Sequence, residues 1–324
     1  MNTFGNLFRI SIFGESHGKW VGVTVDGCPA GISLTEAELL PDLERRKPGA
    51  TGTTPRIEDD MPVFASGVFN GRTTGAPLTI IFENNNTRSA DYNATRDTPR
   101  PGHADFVLHT KFKGFNDHRG SGHSSGRLTV ALVAAGVVAK KVLKNVRIVA
   151  ALTEAGGNKD IDAAIAKAVA DQDSIGGIVT CSVTGLPVGW GEPFFNSVES
   201  VISHAVFSVP AIKGIEFGAG FAAACMTGSN HNDVFIDHKG TTATNNAGGI
   251  NGGITNGNEL TFRVAVKPTS STPMTQHTWN HSTGSVAPYA VKGRHDLCIA
   301  LRVPVVIEAV TAIALADLSM HIHQ

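Results

Sequence analysis

The chain has 324 residues, of which 41% are apolar and 17% charged, a balance that excludes a disordered or fibrous protein. Its 27 basic and 28 acidic residues nearly cancel, so a global basic field for nucleic acid is absent. Any anion-binding site must therefore be a local cluster of charges.

Apolar patterns predict the elements of the first part of the chain. Residues 7–13 and 21–25 alternate as two strands joined by a short turn. The sequence SLTE at residues 33–36 matches a capping box, which predicts a helix from there to about Arg46. Residues 79–82 form a short buried strand.

The remaining elements follow in the same order. Residues 84–101 are polar without an apolar period and predict a long loop, a kind of segment that is often functional. Two serines then precede an Ala- and Val-rich run, which predicts a serine-capped buried helix over residues 127–143. Further predictions are a helix at 161–170, a strand at 178–183, a helix at 199–207, a glycine-rich loop at 245–258, a strand at 260–266 and a helix at 305–320. Strands come in pairs before helices and no linker separates the halves, so we predict one α+β domain over residues 1–324.

Cysteine usage and the apolar runs indicate a cytoplasmic protein. The four cysteines are far apart and form neither a disulfide framework nor a zinc pattern. The first 14 residues lack the features of a signal peptide. The longest apolar run, residues 130–139, is about half of the roughly 20 residues that a membrane span needs. We therefore expect reduced thiols and no membrane partner.

Residues 14–18, with the sequence GESHG, place a serine and a histidine in a glycine turn. The pattern G-x-S-x-G also occurs at the nucleophile elbow of α/β-hydrolases, which requires a helix after the motif. Here a strand pattern follows, and too few residues precede the motif to supply the earlier strands of that fold. The alternatives for this segment are a plain turn or a site with proton transfer, because histidine titrates near neutral pH.

Residues 119–127, with the sequence RGSGHSSGR, predict an anion site. Glycines allow close backbone approach, and serines lie where a helix start leaves N–H groups free. An ordinary serine cap is the alternative. The basic residues 45–47 either complement a helix dipole or add to a cationic patch, and His103 is flanked by Arg100 and Asp105, which could orient it.

Two later segments suit a cofactor. Glycines in residues 245–258 leave bare surface for a flat ring, and Lys267 with the hydroxyls of residues 269–271 could cradle a phosphate. The alternative is a flexible hairpin followed by a turn. No metal site is predicted, because His277 and His281 lack the Glu of a His-Glu-x-x-His motif.

Taken together and in order, these segments resemble chorismate synthase across nearly the whole chain. The further matching segments lie at residues 4–9, 26–31, 45–49, 100–105, 117–127, 189–193, 246–253, 267–271 and 293–296. The resemblance implies conversion of 5-enolpyruvylshikimate 3-phosphate to chorismate and phosphate by a 1,4-anti elimination. It implies a requirement for reduced FMN (FMNH2) without net redox change, a layered β-α-β sandwich with helices enclosed between antiparallel sheets, and a homotetramer.

The resemblance also implies roles for residues. His17 would protonate the leaving phosphate, and His103 would hold the reduced, anionic flavin ring. Asp296, with Ser16 and Ser125, would carry away the substrate proton by way of the flavin N5. Arginines implied for the substrate, whose two carboxylates and phosphate suit guanidinium groups, are Arg46, Arg119, Arg127 and Arg294, with Arg9 in addition. Residues implied for FMN are His123, Ser124, Ser125, Pro210, Ala211, Gly252, Lys267, Pro268, Thr269, Ser270, Ser271 and Arg294.

The sequence departs from the family pattern in three places. His123 and Gly126 stand where arginine and alanine are usual, so FMN binding is expected to depend on pH. Residues 50–53 offer no basic side chain for NADPH, and no dinucleotide fingerprint is present, which favours NADPH as an indirect reductant only. The segment between Val146 and Ser174 is shorter than usual, which indicates an insert missing from the periphery or from a subunit contact.

Two other functions remain open at this stage. One is a flavoprotein oxidoreductase on the same scaffold, in which the flavin would be reoxidised during turnover. The other is an inactive flavin-binding relative that has lost activity through the change at His123.

Overall fold

Two large antiparallel sheets, of five and four strands, enclose helices between them, and three two-stranded sheets complete the described part of the chain. The structure is a computed structural model that describes residues 2–54, 59–86, 97–291 and 295–321. Its strands are β1 (Thr3–Phe4), β2 (Arg9–Gly14), β3 (Trp20–Asp26), β4 (Val63–Ser66), β5 (Val68–Phe69), β6 (Arg72–Thr73), β7 (Leu78–Glu83), β8 (Arg147–Ala155), β9 (Gly177–Thr184), β10 (Ile212–Phe217), β11 (Ile250–Asn251), β12 (Ile254–Thr255), β13 (Leu260–Val266), β14 (Gln276–Asn280) and β15 (Ser285–Tyr289). Its α-helices are α1 (Leu40–Arg46), α2 (Asp105–Lys111), α3 (Thr129–Val142), α4 (Ile161–Asp171), α5 (Val198–Phe207), α6 (Gly228–His231) and α7 (Val303–His321).

Alternation along the strands decides which face of each sheet is buried. The first sheet has the order β1-β2-β3-β7-β4, and Val21, Val23 and Val25 of β3 all point into the core. The second sheet has the order β10-β13-β9-β8, in which Val264 of β13 pairs with Val179 of β9 and both are fully buried. Each sheet therefore presents one apolar face inward.

Helices α3 and α7 fill the space between the sheets. Helix α3 packs against β3, α7 packs against β8 and β9, and the two helices pack along each other. Nearly every residue of both helices is buried. They are in close contact at Gly136, where a Cβ atom would lie 2.3 Å from Cβ of Ala309. The predicted layered β-α-β sandwich, with helices enclosed between antiparallel sheets, is confirmed.

One helical stretch in the described residues, Ile299–His321, is long and apolar enough to cross a membrane, with a mean hydropathy of 2.0. In this fold 78% of its most apolar window is buried inside the protein. A core helix that is covered on all sides has this composition too.

Most predicted elements are confirmed to within a few residues, and the differences have physical causes. The capping box uses Thr35 and Glu38, two residues later than predicted, and opens a 3₁₀ turn, Glu36–Leu39, that leads into α1. Strand β8 was not predicted, because its residue types do not alternate between apolar and polar, although their burial in the fold does. Helix α2 was not predicted either, because none of its residues is buried. The long loop predicted over 84–101 falls largely on residues 87–96, outside the described residues.

A carboxylate near the end of α7 fixes the beginning of the chain. Asp317, which is 3% exposed, accepts hydrogen bonds from the backbone N–H groups of Asn6, Leu7 and Phe8 at 2.7 to 3.0 Å. These N–H groups precede β2, and that of the buried Phe8 would otherwise lack a partner. The last helix therefore holds the start of the first sheet in place.

We expect Asp317→Ala to lower the free energy of unfolding by about 2–4 kcal/mol, because three N–H groups lose a charged acceptor. The exposed ion pair of Asp171 with Lys167 offers a matched control, and Asp171→Ala is expected to cost less than about 1 kcal/mol. Urea unfolding of both variants measures the difference. Equal stability of the two variants would contradict this assignment.

Candidate active site

A cavity of about 780 Å³ lies where loops from both halves of the sandwich meet the starts of α3 and α7. Its volume is within the range of small-molecule sites. The residues predicted from sequence that line it are Ser16, Arg46, His103, His123, Ser124, Ser125, Arg127, Pro210, Ala211, Lys267, Pro268, Thr269, Ser270, Ser271 and Asp296.

The turn between β2 and β3 supplies Ser16 and His17. Both are buried, and Ser16 lines the cavity. Gly120 lies against them, in a left-handed conformation with φ of 56°. A Cβ atom on Gly120 would lie 2.7 Å from Oγ of Ser16 and 2.8 Å from Nε2 of His17. The loop that contains Gly120 can therefore pack on this turn because Gly120 has no side chain.

Two arginines share one buried aspartate in the cavity wall. Arg46 ends α1, Arg127 precedes α3, and both guanidinium groups bond to the carboxylate of Asp60. All three residues are less than 8% exposed, and Nε of Arg127 also donates to Asn84 at 2.9 Å. Burial acts to raise the pKa of Asp60, but the two guanidinium charges outweigh it and hold that pKa below its ordinary value. Two cations and one anion leave a net positive charge that suits an anionic ligand.

Asp296 lies on another wall of the cavity, just before α7. Its carboxylate accepts a hydrogen bond from the backbone N–H of Thr54 at 2.9 Å and forms an ion pair with Arg302 at 3.1 Å. Arg302 in turn donates to the carbonyl oxygen of Arg46 at 2.8 Å. This chain of bonds connects the carboxylate to the arginine cluster.

His103 is held by the residues on either side of it in sequence. Its Nδ1 lies 2.8 Å from Oδ1 of Asp105, and its Nε2 lies 3.1 Å from Oγ of Ser121. Arg100 is buried and makes two bonds to the same aspartate, at 2.7 and 2.8 Å. Burial acts to raise the pKa of Asp105, but the bonds from Arg100 and His103 outweigh it and hold that pKa well below its ordinary range.

The segment after β13 forms a polar cradle. Nζ of Lys267 donates to Oγ of Ser270 at 2.5 Å and to the carbonyl oxygen of Gly102 at 3.2 Å. Burial first, and then the charge of Lys213, lower the pKa of Lys267 from its ordinary value. Oγ1 of Thr269 is buried without a hydrogen-bond partner among the described residues. Donors without an internal carboxylate partner suit a phosphate or another anion.

The loop before α3 provides both a cap and a cavity wall. Oγ of Ser125 accepts the backbone N–H of Arg127 at 3.2 Å and so caps the short 3₁₀ turn Gly126–Leu128 that leads into α3. The serine cap was predicted for the long helix itself, which instead begins after Leu128 without a side-chain cap. Oγ of Ser124 donates to the carbonyl oxygen of Ser121 at 2.8 Å. His123 donates from Nδ1 to the carbonyl oxygen of Gly14 at 2.7 Å, because a carbonyl can only accept.

Four of the predicted site residues are not placed on the cavity wall. Arg9 forms an exposed ion pair with Asp26 on the outer side of the first sheet, and Arg119 pairs with Asp117 at 2.8 Å. Gly252 lies in the hairpin between β11 and β12, away from the cavity. His17 is packed behind Gly120 instead of on the wall itself. Arg294 falls outside the described residues.

Sequence reasoning missed Asp60 and Arg302, and it included Ser121 in the 119–127 motif without a role of its own. Nothing local to Asp60 distinguishes it from the acidic residues around it, since its partners come from two distant segments. Arg302 could have been found as the single cation in an apolar stretch that continues into α7. Among the described residues no group of three or more His, Cys, Asp or Glu side chains is placed to hold a metal ion.

The fold and the cavity together describe a small-molecule site with a net positive wall. A family model described as chorismate synthase matches residues 8–320. The chain therefore belongs to the chorismate synthase family, lyases of aromatic biosynthesis, and neither an oxidoreductase nor an inactive relative is favoured.

Known relatives agree with this family. A chorismate synthase of Chitinophaga pinensis is 66% identical over 318 residues, covering 98% of this chain and 96% of the relative. One of Methanosarcina mazei is 43% identical over 348 positions, covering 98% and 95%. That alignment is longer than the chain itself, so the archaeal relative carries residues that this chain lacks. A crystal structure of chorismate synthase shares the fold with a TM-score of 0.74 at 24% identity, covering 98% of this chain and 93% of the other.

Proposed function

We propose that the cavity converts 5-enolpyruvylshikimate 3-phosphate to chorismate and phosphate by 1,4-anti elimination in the presence of reduced FMN. One observation carries the proposal: Ser16, the Arg46 and Arg127 pair and Asp296 line the same cavity, and His17 packs directly behind Gly120 of its wall. The substrate carries two carboxylates and a phosphate, and charge-assisted bonds to arginine are worth about 1.5–3 kcal/mol each. The net positive wall around Asp60 supplies such bonds.

The residues present also fit the cofactor. The cradle of Lys267 and Ser270, with the unpartnered hydroxyl of Thr269, would hold the FMN phosphate or ring edge. Reduced FMN, when bound, supplies electron density to the substrate as phosphate leaves. The protein itself binds both molecules, excludes water and holds groups that can move protons.

His17 is assigned to the leaving phosphate and Asp296 to the proton that the substrate loses. Gly120 holds the imidazole in place, and Arg302 with the Thr54 N–H group orients the carboxylate. Acid–base groups positioned in this way contribute about 10²–10⁴-fold to rate. NADPH acts as an indirect reductant, because no dinucleotide fingerprint occurs in the sequence.

The test is an anaerobic assay with 5-enolpyruvylshikimate 3-phosphate and dithionite-reduced FMN, in which chorismate absorbance and free phosphate are followed. We expect His17→Ala and Asp296→Ala each to lower turnover by about 10²–10⁴-fold, with Asp171→Ala unchanged. The flavin should end the reaction reduced. Undiminished turnover in both variants would reject the assigned roles.

We further propose that the protein works in the cytoplasm as a homotetramer. The association is supported by two adjacent exposed phenyl rings, since exposed apolar groups that lie together mark association sites, and the cytoplasmic location rests on the cysteine usage of the sequence. Phe194 is 87% and Phe195 is 93% exposed, and the segment that carries them bonds to the hairpin of Gly252. A subunit contact there would bring Gly252 against a neighbour. Sedimentation of wild type and of Phe194→Asp with Phe195→Asp would test this, and an unchanged mass would contradict a contact at these residues.

A further inference from the structure

Hydrogen bonds around His103 close into a ring of four residues. His103 contacts Asp105 through Nδ1 and Ser121 through Nε2, at 2.8 and 3.1 Å. Arg100 completes the ring, because it donates to Oγ of Ser121 at 3.1 Å and to both oxygens of Asp105. Ser121 and His103 both line the cavity.

For a neutral imidazole, the chemistry of these groups indicates where the protons lie. A carboxylate can only accept, so Nδ1 of His103 carries the proton that faces Asp105. A guanidinium can only donate, so Oγ of Ser121 accepts from Arg100. The hydroxyl proton of Ser121 is then free to point at Nε2 of His103. Arg100 also lies 3.2 Å from Nδ1, but two donors do not bond to each other.

The backbone conformation of Ser121 is strained for a residue that has a side chain. Its φ is 73°, in the left-handed region, between Gly120 and Gly122, which also have positive φ. A non-glycine residue there costs about 1–2 kcal/mol. Such strain persists at functional sites where the surroundings determine the conformation. Glycine would adopt this backbone conformation without strain. The presence of serine instead indicates that its hydroxyl group has a function.

We propose that Ser121 is a proton relay between His103 and the ligand in the cavity. An acidic O–H or N–H group of the ligand gives its proton to Oγ of Ser121, while the hydroxyl proton of Ser121 passes to Nε2 of His103. The products are the deprotonated ligand and an imidazolium that Asp105 stabilises, and the steps reverse when the proton returns. Arg100 keeps the hydroxyl aimed at Nε2 throughout.

Ser121→Gly tests the relay because it removes the hydroxyl and relieves the backbone strain at once. We expect its stability to urea to equal or exceed that of wild type, while kcat falls by about 10²–10⁴-fold and KM changes little. Gln172→Gly is the matched control, since Gln172 has φ of 52° at the end of α4, away from the cavity. That variant should gain stability and keep its turnover.

The relay rests on the proposed function only for the identity of the ligand. An NMR measurement on the protein without ligands therefore tests the relay separately from that function. In ¹⁵N NMR of wild type without ligands, the neutral form of His103 should carry its proton on Nδ1 and have a hydrogen-bonded, unprotonated Nε2. The Nε2 signal should shift in Ser121→Gly and stay in place in Gln172→Gly. Full turnover of Ser121→Gly, or a protonated Nε2 in neutral wild type, would overturn the relay. Absence of phosphate release by wild type would reject the function instead.

Discussion

Asp60→Asn is expected to lower the free energy of unfolding by about 3–5 kcal/mol, the cost of leaving buried charges without their partner. Arg46 and Arg127 are both buried and both bond to this one carboxylate. The neutral amide can accept from only one of them and cancels neither charge. Urea unfolding at neutral pH measures the loss, with Asp171→Asn as an exposed control.

Inorganic phosphate should offset part of the loss in Asp60→Asn. A ligand that binds only the folded protein stabilises it by mass action, and two uncompensated guanidinium groups bind an anion better than a neutralised pair. At equal ionic strength, phosphate should therefore raise the urea midpoint of Asp60→Asn more than that of wild type. An identical response of the two proteins would show that this cluster does not bind anions.

The same substitution has a predictable dependence on pH. Folding lowers the pKa of Asp60, so its contribution is fully present above the unfolded pKa of about 4 and is lost as pH falls through the folded value. The stability gap between wild type and Asp60→Asn should therefore be constant above about pH 5 and narrow in acid. A gap that widens in acid would contradict the direction of the shift.

Gly120→Ala is expected to lower turnover by about 10²-fold or more. The added Cβ would lie 2.7 Å from Oγ of Ser16 and from Cδ2 of His17, closer than such atoms approach, so both side chains must move. Displacement of catalytic groups by about 1 Å costs roughly 10²-fold in rate. The positive φ adds about 1–2 kcal/mol of strain.

Gly228→Ala is the control for this substitution, because Gly228 has open space around it and no positive φ. In the double variant with His17→Ala, the loss caused by Gly120→Ala should be much smaller than in wild type, since one displaced group is already absent. If the fold-losses in turnover of the two single variants simply multiply in the double variant, Gly120→Ala does not act through His17.

Elements and motifs that depend only on a short stretch of neighbouring residues could be predicted from the sequence. The strands β2, β3 and β13 and the helices α3 and α7 were visible as apolar patterns, and the glycine and serine motifs pointed to most of the cavity wall. Strand β8 could not be predicted, because the alternation of buried and exposed residues along it arises from packing against α7. Asp60 could not be predicted, because its partners Arg46 and Arg127 come from segments 14 and 67 residues away. Arg302 could have been noticed as the single cation in its apolar stretch, but its bond to the carbonyl oxygen of Arg46 could not.

The bonds from Asp317 to the N–H groups of residues 6–8 span about 310 positions of sequence. During synthesis at about 5–20 residues per second, the opening strands therefore wait tens of seconds before the group that fixes them leaves the ribosome. The Ser16–His17 turn follows directly from those strands. Nascent chains arrested before residue 317 should consequently be cut readily by protease near residues 6–8. They should also be inactive, even though most residues of the cavity wall have already been synthesised.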